Sequence, residues 1–214
     1  MARYEYGFIS FDGADGSGKS TQVDMLSQYM TDNGIPHVIS RTPGHEGEAG
    51  ELRRFLLNRD TLLSASTMAY LYAAGFRYNL ENIIIPALRE RKFVIADRWT
   101  PTSAVYQGII GRRLDLVREL TKALWAGLPG TDYSDFLRQS TMFLVDVDFG
   151  TAVSRIRSRG NENVWDTQDE LTHHSIVTGF QSLYWDNKTR VDGNRSKDVL
   201  HHEVLSRLKE TYAI

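Results

Sequence analysis

The sequence predicts an α/β domain of three layers, a five-stranded parallel sheet flanked by helices. Three observations predict it. Short apolar runs bounded by turn residues alternate along the chain with segments of helical period. The first of those runs feeds a glycine-rich loop that opens into a helix. The 214 residues, 41% of them hydrophobic, suffice for one well-buried core and are too few for two comfortable ones. Strands separated by helices need right-handed crossovers, which lay the strands parallel and cover both faces of the sheet. Ligands of such a sheet bind beyond the C-terminal ends of its strands. One domain is expected over residues 1–214, since no repeat, low-complexity tract or linker divides the chain.

Taken in order, Tyr6 to Asp12 (YGFISFD) reads as the first strand, an apolar run closed by turn residues. Val23, Leu26 and Met30 then recur at helical spacing, and Asn33-Gly34 supplies a stop. His37 to Arg41 (HVISR) is the second strand and ends at Thr42-Pro43-Gly44. Helices come next around Glu48 to Leu57 and from about Ser66 to Arg89, and Lys92 to Asp97 (KFVIAD) is the third strand. The pattern predicts helix from Thr102 to Trp125, a Gly/Pro-rich stretch from Gly127 to Tyr133, and a fourth strand from Thr141 to Val147 (TMFLVDV). Helix Gly150 to Arg159 stops at Gly160, and a polar segment without periodicity runs to about Asp169. A helix, the short strand Thr189 to Asp192 and a last helix close the fold.

Composition excludes several classes of function. With 24% charged residues and a formal net charge of -2, the chain carries no basic field for nucleic acid, so any anion site is local. It has no cysteine, which removes disulfides, thiol nucleophiles and cysteine-ligated zinc. No leader pattern and no apolar run of about 18 residues occurs, so a cytoplasmic location without membrane contact is expected. The pairs His173-His174 and His201-His202 are adjacent and face different sides of a helix, which fits surface histidines better than a metal site.

The chemistry begins at Phe11 to Thr21, FDGADGSGKST. Gly13, four residues, then Gly18-Lys19-Ser20 make a phosphate loop between a strand and a helix. Glycines let the backbone wrap an anion with its N–H groups inward, and the helix adds its positive N-terminus. Lys19 is placed to neutralise the β and γ phosphates and the Ser20 hydroxyl to hold Mg2+. ATP-binding residues are therefore expected at Gly13, Asp15, Gly16, Ser17, Gly18, Lys19, Ser20 and Thr21, in a P-loop NTPase fold.

The rest of the chain narrows the use of that phosphate. A GTPase needs an Asn-Lys-x-Asp reader, and the Asn-Lys pair here continues Asn187-Lys188-Thr189-Arg190. A motor ATPase strand ends in two acids; this one ends Ala96-Asp97-Arg98. Arg98 suits the grip of a second phosphate in the crevice, with Asp97 near the metal. Arg155 and Arg159 stand four apart on one helical face, an arrangement that suits an anion between them. Together with the polar segment after them, they predict a short mobile lid over roughly residues 155–169 that closes on the transferred phosphoryl group.

At this point the chain resembles the thymidylate kinase family of nucleoside monophosphate kinases. DGADGSGKSTQ, SRTPG, YAAGFRYNLENIIIPAL, VIADRWTPTSAVYQG and LVDVDFGTAVSRIRSRG stand in the family's order, and the likeness runs from about Phe8 to Tyr184. It implies phosphoryl transfer from Mg-ATP to a deoxynucleoside monophosphate, dTMP or a related or modified one, and a homodimer through the long helices, with Tyr70, Ile83 and Ile84 on that face. It implies Asp15 near the acceptor sugar and the metal, Arg98 on the acceptor phosphate, and Arg41 and Pro43 beside the acceptor. It further implies Tyr72 against the base, Tyr106 crowding the ribose 2' position, Ser103 in the acceptor site, and Lys19, Asp97, Arg98, Arg155 and Arg159 as the catalytic set.

The chain departs from the family where the long helix usually carries Asp-Arg, the arginine reading a thymine carbonyl. Gly75-Phe76 stands there and Arg77 comes one residue late, about 100° around the helix. Thr42 replaces a glutamate, Trp99 comes after Asp97-Arg98, and Val164 takes one lid arginine position. The expectation is a base pocket opened at Gly75, made more apolar at Phe76, and served in part by Arg77. Such a pocket suits another or a modified pyrimidine, as in a virus with its own nucleotide supply, acting in the host cytoplasm. Two other readings remain at this level. One is a kinase acting on a hydroxyl of a deoxynucleoside or a base in DNA, with Asp12 or Asp97 as base; the other is a non-catalytic ATP-binding protein.

Overall fold

Strand β1 (Phe8–Asp12) lies at the centre of a five-stranded, all-parallel sheet of order β2-β3-β1-β4-β5. In this computed structural model, residues 4–44, 47–58, 62–128, 136, 140–159, 169–183 and 188–214 are described. All five residues of β1 are buried, which demands apolar partners on both faces. Successive side chains oblige: Phe8 joins one core, Ile9 and Phe11 the other.

After β1 come α1 (Lys19–Asp32) and β2 (His37–Arg41), which takes the edge, and then α2 (Gly47–Leu57). The long helical stretch is α3 (Ala65–Asn79), a wider π turn over Leu80–Ile84, and α4 (Ile85–Arg89). The wide turn sits just before Pro86, which offers no N–H to the carbonyl one turn back. Strand β3 (Phe93–Asp97) fills the place between β2 and β1. The helix expected from Thr102 to Trp125 is instead α5 (Thr100–Ser103), a π-helix Ala104–Ile110 and α6 (Leu114–Ala123). The break falls at Gly111–Arg113, where Arg112 takes φ 53. Strand β4 (Ser140–Asp146), α7 (Phe149–Arg159), α8 (Glu170–Ser182), β5 (Lys188–Asp192) and α9 (Lys197–Thr211) build the other side. The chain thus leaves β1 in both directions, and the crevice this reversal opens lies at the C-terminal end of β1.

One core packs α1 and α9 on the sheet through Val23, Leu26, Leu200 and Leu208. The opposite face carries Met68, Tyr72, Phe76 and Trp99 in one cluster and Val105, Tyr106, Ile176 and Phe180 in another. The site is built between these two clusters.

Other expectations change as well. His173 is buried, its Nε2 3.2 Å from the Val147 carbonyl and its ring against Phe149, so it is a core residue and not a surface one. Ile84 is fully buried and cannot line an outer face, whereas Tyr70 is 57% exposed. The lid residues 160–168, with Gly160 and Val164, lie outside the described residues, as does most of the stretch after Leu128. Among the described residues no helix is long and apolar enough to cross a membrane.

Candidate active site

The phosphate loop occupies the turn from β1 into α1. At Gly13 the backbone takes φ +141, and a Cβ there would stand 2.3 Å from the Val145 carbonyl oxygen, so the tight entry to the loop requires glycine. Helix α1 has no side-chain cap, which leaves the N–H groups of its first turn facing the loop. Lys19 folds inward, its Nζ donating to the Ala14 carbonyl at 2.6 Å and to Ser17 Oγ at 3.2 Å. Burial, reinforced by the charge of Arg98, pushes its ammonium down to about 7. The Ser20 hydroxyl donates to Asp97 Oδ2 at 2.6 Å, joining α1 to the end of β3.

Arg98 comes directly after β3 in a left-handed conformation, φ 73, which a non-glycine residue adopts at a cost of about 1–3 kcal/mol. Its N–H donates to the Phe11 carbonyl at 3.0 Å, and the strained turn swings the guanidinium back into the crevice. There it donates to the Gly13 carbonyl at 3.1 Å and Thr102 Oγ1 at 3.3 Å, ion-pairs with Asp15, and lies 5.7 Å from the Tyr106 ring centre. The Tyr106 hydroxyl donates to the other Asp15 oxygen at 3.3 Å. Burial opposes the Arg98 charge, yet Asp15 and its neighbours outweigh that and hold the guanidinium more firmly protonated than usual. Burial likewise works against the Asp15 carboxylate, and Arg98, Lys19 and Arg159 outweigh it, so its pKa falls.

Asp12 supports this group from beneath. Its Oδ1 accepts from the Trp99 N–H at 3.1 Å and the Thr102 hydroxyl at 2.7 Å, tying down the start of the short helix α5. Its Oδ2 is buried without a hydrogen-bond partner among the described residues, and burial raises its pKa. Asp12 is therefore enclosed scaffolding and not a base presented to a hydroxyl acceptor.

Two cavities meet at the crevice. The larger, about 450 Å3, runs along the phosphate loop from Asp15 to Gln22 and is walled by Arg155, Arg159, Gly193 and Lys197. The smaller, about 60 Å3, is lined by Pro43, Leu57, Tyr72, Thr102, Tyr106 and Gln107. Asp15, Thr42, Arg53 and Arg98 line both, so two arginines stand where the cavities adjoin.

The sequence-derived residues sort accordingly. Asp15, Gly16, Ser17, Gly18, Lys19, Ser20, Thr21, Asp97, Arg98, Arg155 and Arg159 line the larger cavity, and Pro43, Tyr72 and Tyr106 the smaller. Arg155 does not simply await an anion: one guanidinium nitrogen donates to Gly193 O at 2.8 Å and faces Ser17 O and Gly16 O at 3.3 and 3.4 Å. Arg41 is held by Asp24 at 2.6 Å, with Asp97 at 3.9 Å, and lines neither cavity. Ser103 is buried one turn behind the wall, donating to Gln107 Oε1 at 2.9 Å.

Three base-pocket expectations fail. Phe76 is 2% exposed and sits edge-on to Trp99 in the core, away from the cavity. Arg77 points elsewhere, donating to the carbonyls of Leu124 and Ala126 and ion-pairing with Glu81. Gly75 opens no space, because a Cβ there would meet the Pro43 carbonyl oxygen at 2.7 Å; the glycine admits the Thr42-Pro43 segment against α3. Asn79 secures that segment through Arg41 O at 3.0 Å and Thr42 Oγ1 at 3.3 Å.

Arg53, Thr102 and Gln107 join the site without having stood out in the sequence, as do Gly193 and Lys197. Arg53 had a signal. It falls four residues after Ala49 and three before Leu56, both buried, so a cation sits on the apolar face of α2. Its guanidinium donates to the Thr42 carbonyl at 3.3 Å.

The arrangement can hold a polyphosphate along α1 and a second anion in the smaller cavity, with cations between them. A family model described as thymidylate kinase matches residues 11–204. The thymidylate kinase of Symbiobacterium thermophilum is 46% identical over 213 residues, covering 95% of this chain and 92% of that protein. That of an Exiguobacterium strain is 32% identical over 203 residues, 92% of each chain. A crystal structure of thymidylate kinase from Ehrlichia chaffeensis shares the fold, with TM-score 0.70 at 23% identity over 95% of this chain and 98% of that one.

Proposed function

This chain belongs to the thymidylate kinase family, and on that premise we propose that it transfers the terminal phosphoryl group of ATP to dTMP, giving dTDP and ADP. The observation that carries the reading is the wall common to the two cavities, where Arg98 and Arg53 face both. A phosphate oxygen of dTMP attacks the γ-phosphorus of ATP in line. A new P–O bond forms, the bond to the β–γ bridging oxygen breaks, and its electron pair leaves with ADP. The acceptor is already an anion, so no general base is needed, and charge compensation is the enzyme's main task. Lys19 and the open N-terminus of α1 take the donor phosphates; Arg98 and Arg53 hold the acceptor phosphate against its own repulsion by the donor. Arg159 covers the transfer, and Arg155 braces the loop against the turn at Gly193.

Tyr72, Pro43 and Leu57 form an apolar slot for the base, Gln107 supplies its polar edge, and Tyr106 with Asp15 closes the sugar side. Mg2+ fits the Ser20–Asp97 pair, a hydroxyl and a carboxylate whose oxygen chemistry suits a hard cation; when bound it offsets phosphate charge. The same reading has the enzyme in the cytoplasm as a homodimer through its long helices, which the exposure of Tyr70 on α3 supports.

Arg98→Ala tests it. Turnover of dTMP should fall about a thousandfold, while ATP affinity by titration stays within about threefold. Equal loss of both would make Arg98 a structural residue and remove the main support for the reading.

A further inference from the structure

If the chain is the kinase proposed, the base of its acceptor is read at the far end of the smaller cavity. Beyond the four residues that also face the ATP side, the described lining is Pro43, Leu57, Tyr72, Thr102, Tyr106 and Gln107, none of them charged. Two of the three hydroxyls there are already directed away from the base: Thr102 donates to Asp12 and Tyr106 to Asp15. Arg77, on the same helix as Tyr72, is spent on the carbonyls of Leu124 and Ala126 and on Glu81. Phe76 is buried against Trp99. Arg98 and Arg53, which also line this cavity, are assigned to the acceptor phosphate, and among the described residues no other cation lines it to reward a carbonyl at the 4-position of a pyrimidine.

Gln107 brings the amide. Its buried partner is the Ser103 hydroxyl, 2.9 Å from Oε1. A hydroxyl can donate or accept, so the amide can turn over and keep that bond. An amide held by a carboxylate or a carbonyl would be locked, because those partners only accept. With the amide one way round, Oε1 accepts the N3–H of a keto pyrimidine. Turned over, Nε2 donates to the bare N3 of a 4-amino pyrimidine. We propose that the Ser103–Gln107 pair is a two-way reader, and that the enzyme phosphorylates 4-keto and 4-amino pyrimidine deoxynucleoside monophosphates alike, selecting on sugar and phosphate before the base edge.

The test is the initial rate of ADP release from Mg-ATP with dTMP, dUMP and dCMP as acceptors. A site built around one fixed hydrogen-bond pattern rejects the wrong edge by about 10^4-fold. Here kcat/KM for dCMP should lie within about tenfold of that for dTMP, and a larger gap overturns the two-way reader while leaving the kinase reading intact. Silence on all three acceptors would instead sink the kinase reading. Gln107→Glu, whose carboxylate only accepts, should raise the dTMP:dCMP ratio of kcat/KM by at least about tenfold, whatever its absolute rate. An unchanged ratio in a variant that still turns over either nucleotide removes Gln107 from base reading and overturns the proposal; the wild-type comparison decides the matter if the variant does not fold.

Discussion

At the scale of single residues, the pair Asp15–Arg98 sets the electrostatics of the crevice. Asp15 neutralises the guanidinium of Arg98, the group proposed to take the acceptor phosphate. The pairing also links stability to pH. Burial opposes the Asp15 charge, but Arg98 and Lys19 hold its folded pKa below the ordinary carboxylate value of about 3.9, so it stabilises the fold above that pH and the contribution is lost as pH falls through the lower folded value. Asp15→Asn should therefore flatten the acid limb of a plot of thermal midpoint against pH below about pH 4; an unchanged slope would show the pair does not couple to folding. Gly75 gives a second expectation. An alanine Cβ would press on the Pro43 carbonyl at 2.7 Å, so Gly75→Ala should cost about 1–3 kcal/mol by denaturant unfolding and raise KM for dTMP, since Pro43 lines the cavity proposed for it. Residues inside a contiguous motif, such as Lys19 and Ser20, were legible because loop chemistry is local. Gln107 was not, and Arg53 showed only as a cation on the apolar face of α2, since each matters only where α2 or the π-helix meets a loop distant in sequence.

At the scale of elements, the Arg98 side of the crevice is anchored by Asp12. One carboxylate oxygen takes both the Trp99 N–H and the Thr102 hydroxyl, fixing the start of α5 and with it the Arg98 turn and the Thr102 wall. Removing it leaves two buried donors without a partner. Asp12→Ala should destabilise by about 2–4 kcal/mol in urea, whereas Asp12→Asn keeps an acceptor in place and should cost less; equal losses would argue that the carboxylate charge, not the acceptor geometry, is what counts. Element positions were largely legible because apolar periods of two and of about 3.6 residues are strong signals. The exception is informative. Leu114, Val117 and the residues after them carry on a helical spacing beyond Gly111, so periodicity alone ran through a turn at Arg112 that tertiary packing imposes.

At the scale of the whole molecule, the sheet's reversal at β1 explains why one loop borders two cavities. Strand β1 delivers the phosphate loop, its neighbour β3 delivers Asp97 and Arg98, and the register Phe11↔Asp97 brings them level across the crevice. The fold and the loop were readable from pattern. The smaller cavity was not, because its shape depends on how closely the Thr42-Pro43 segment approaches α3, a distance no sequence period encodes. In the enzyme proposed, the crevice holds a second phosphate rather than a hydroxyl acceptor. ADP release from Mg-ATP, measured with dTMP and with thymidine side by side, separates the two. Rapid release with dTMP and none above background with thymidine is expected; release with thymidine while dTMP stays silent would contradict the kinase reading.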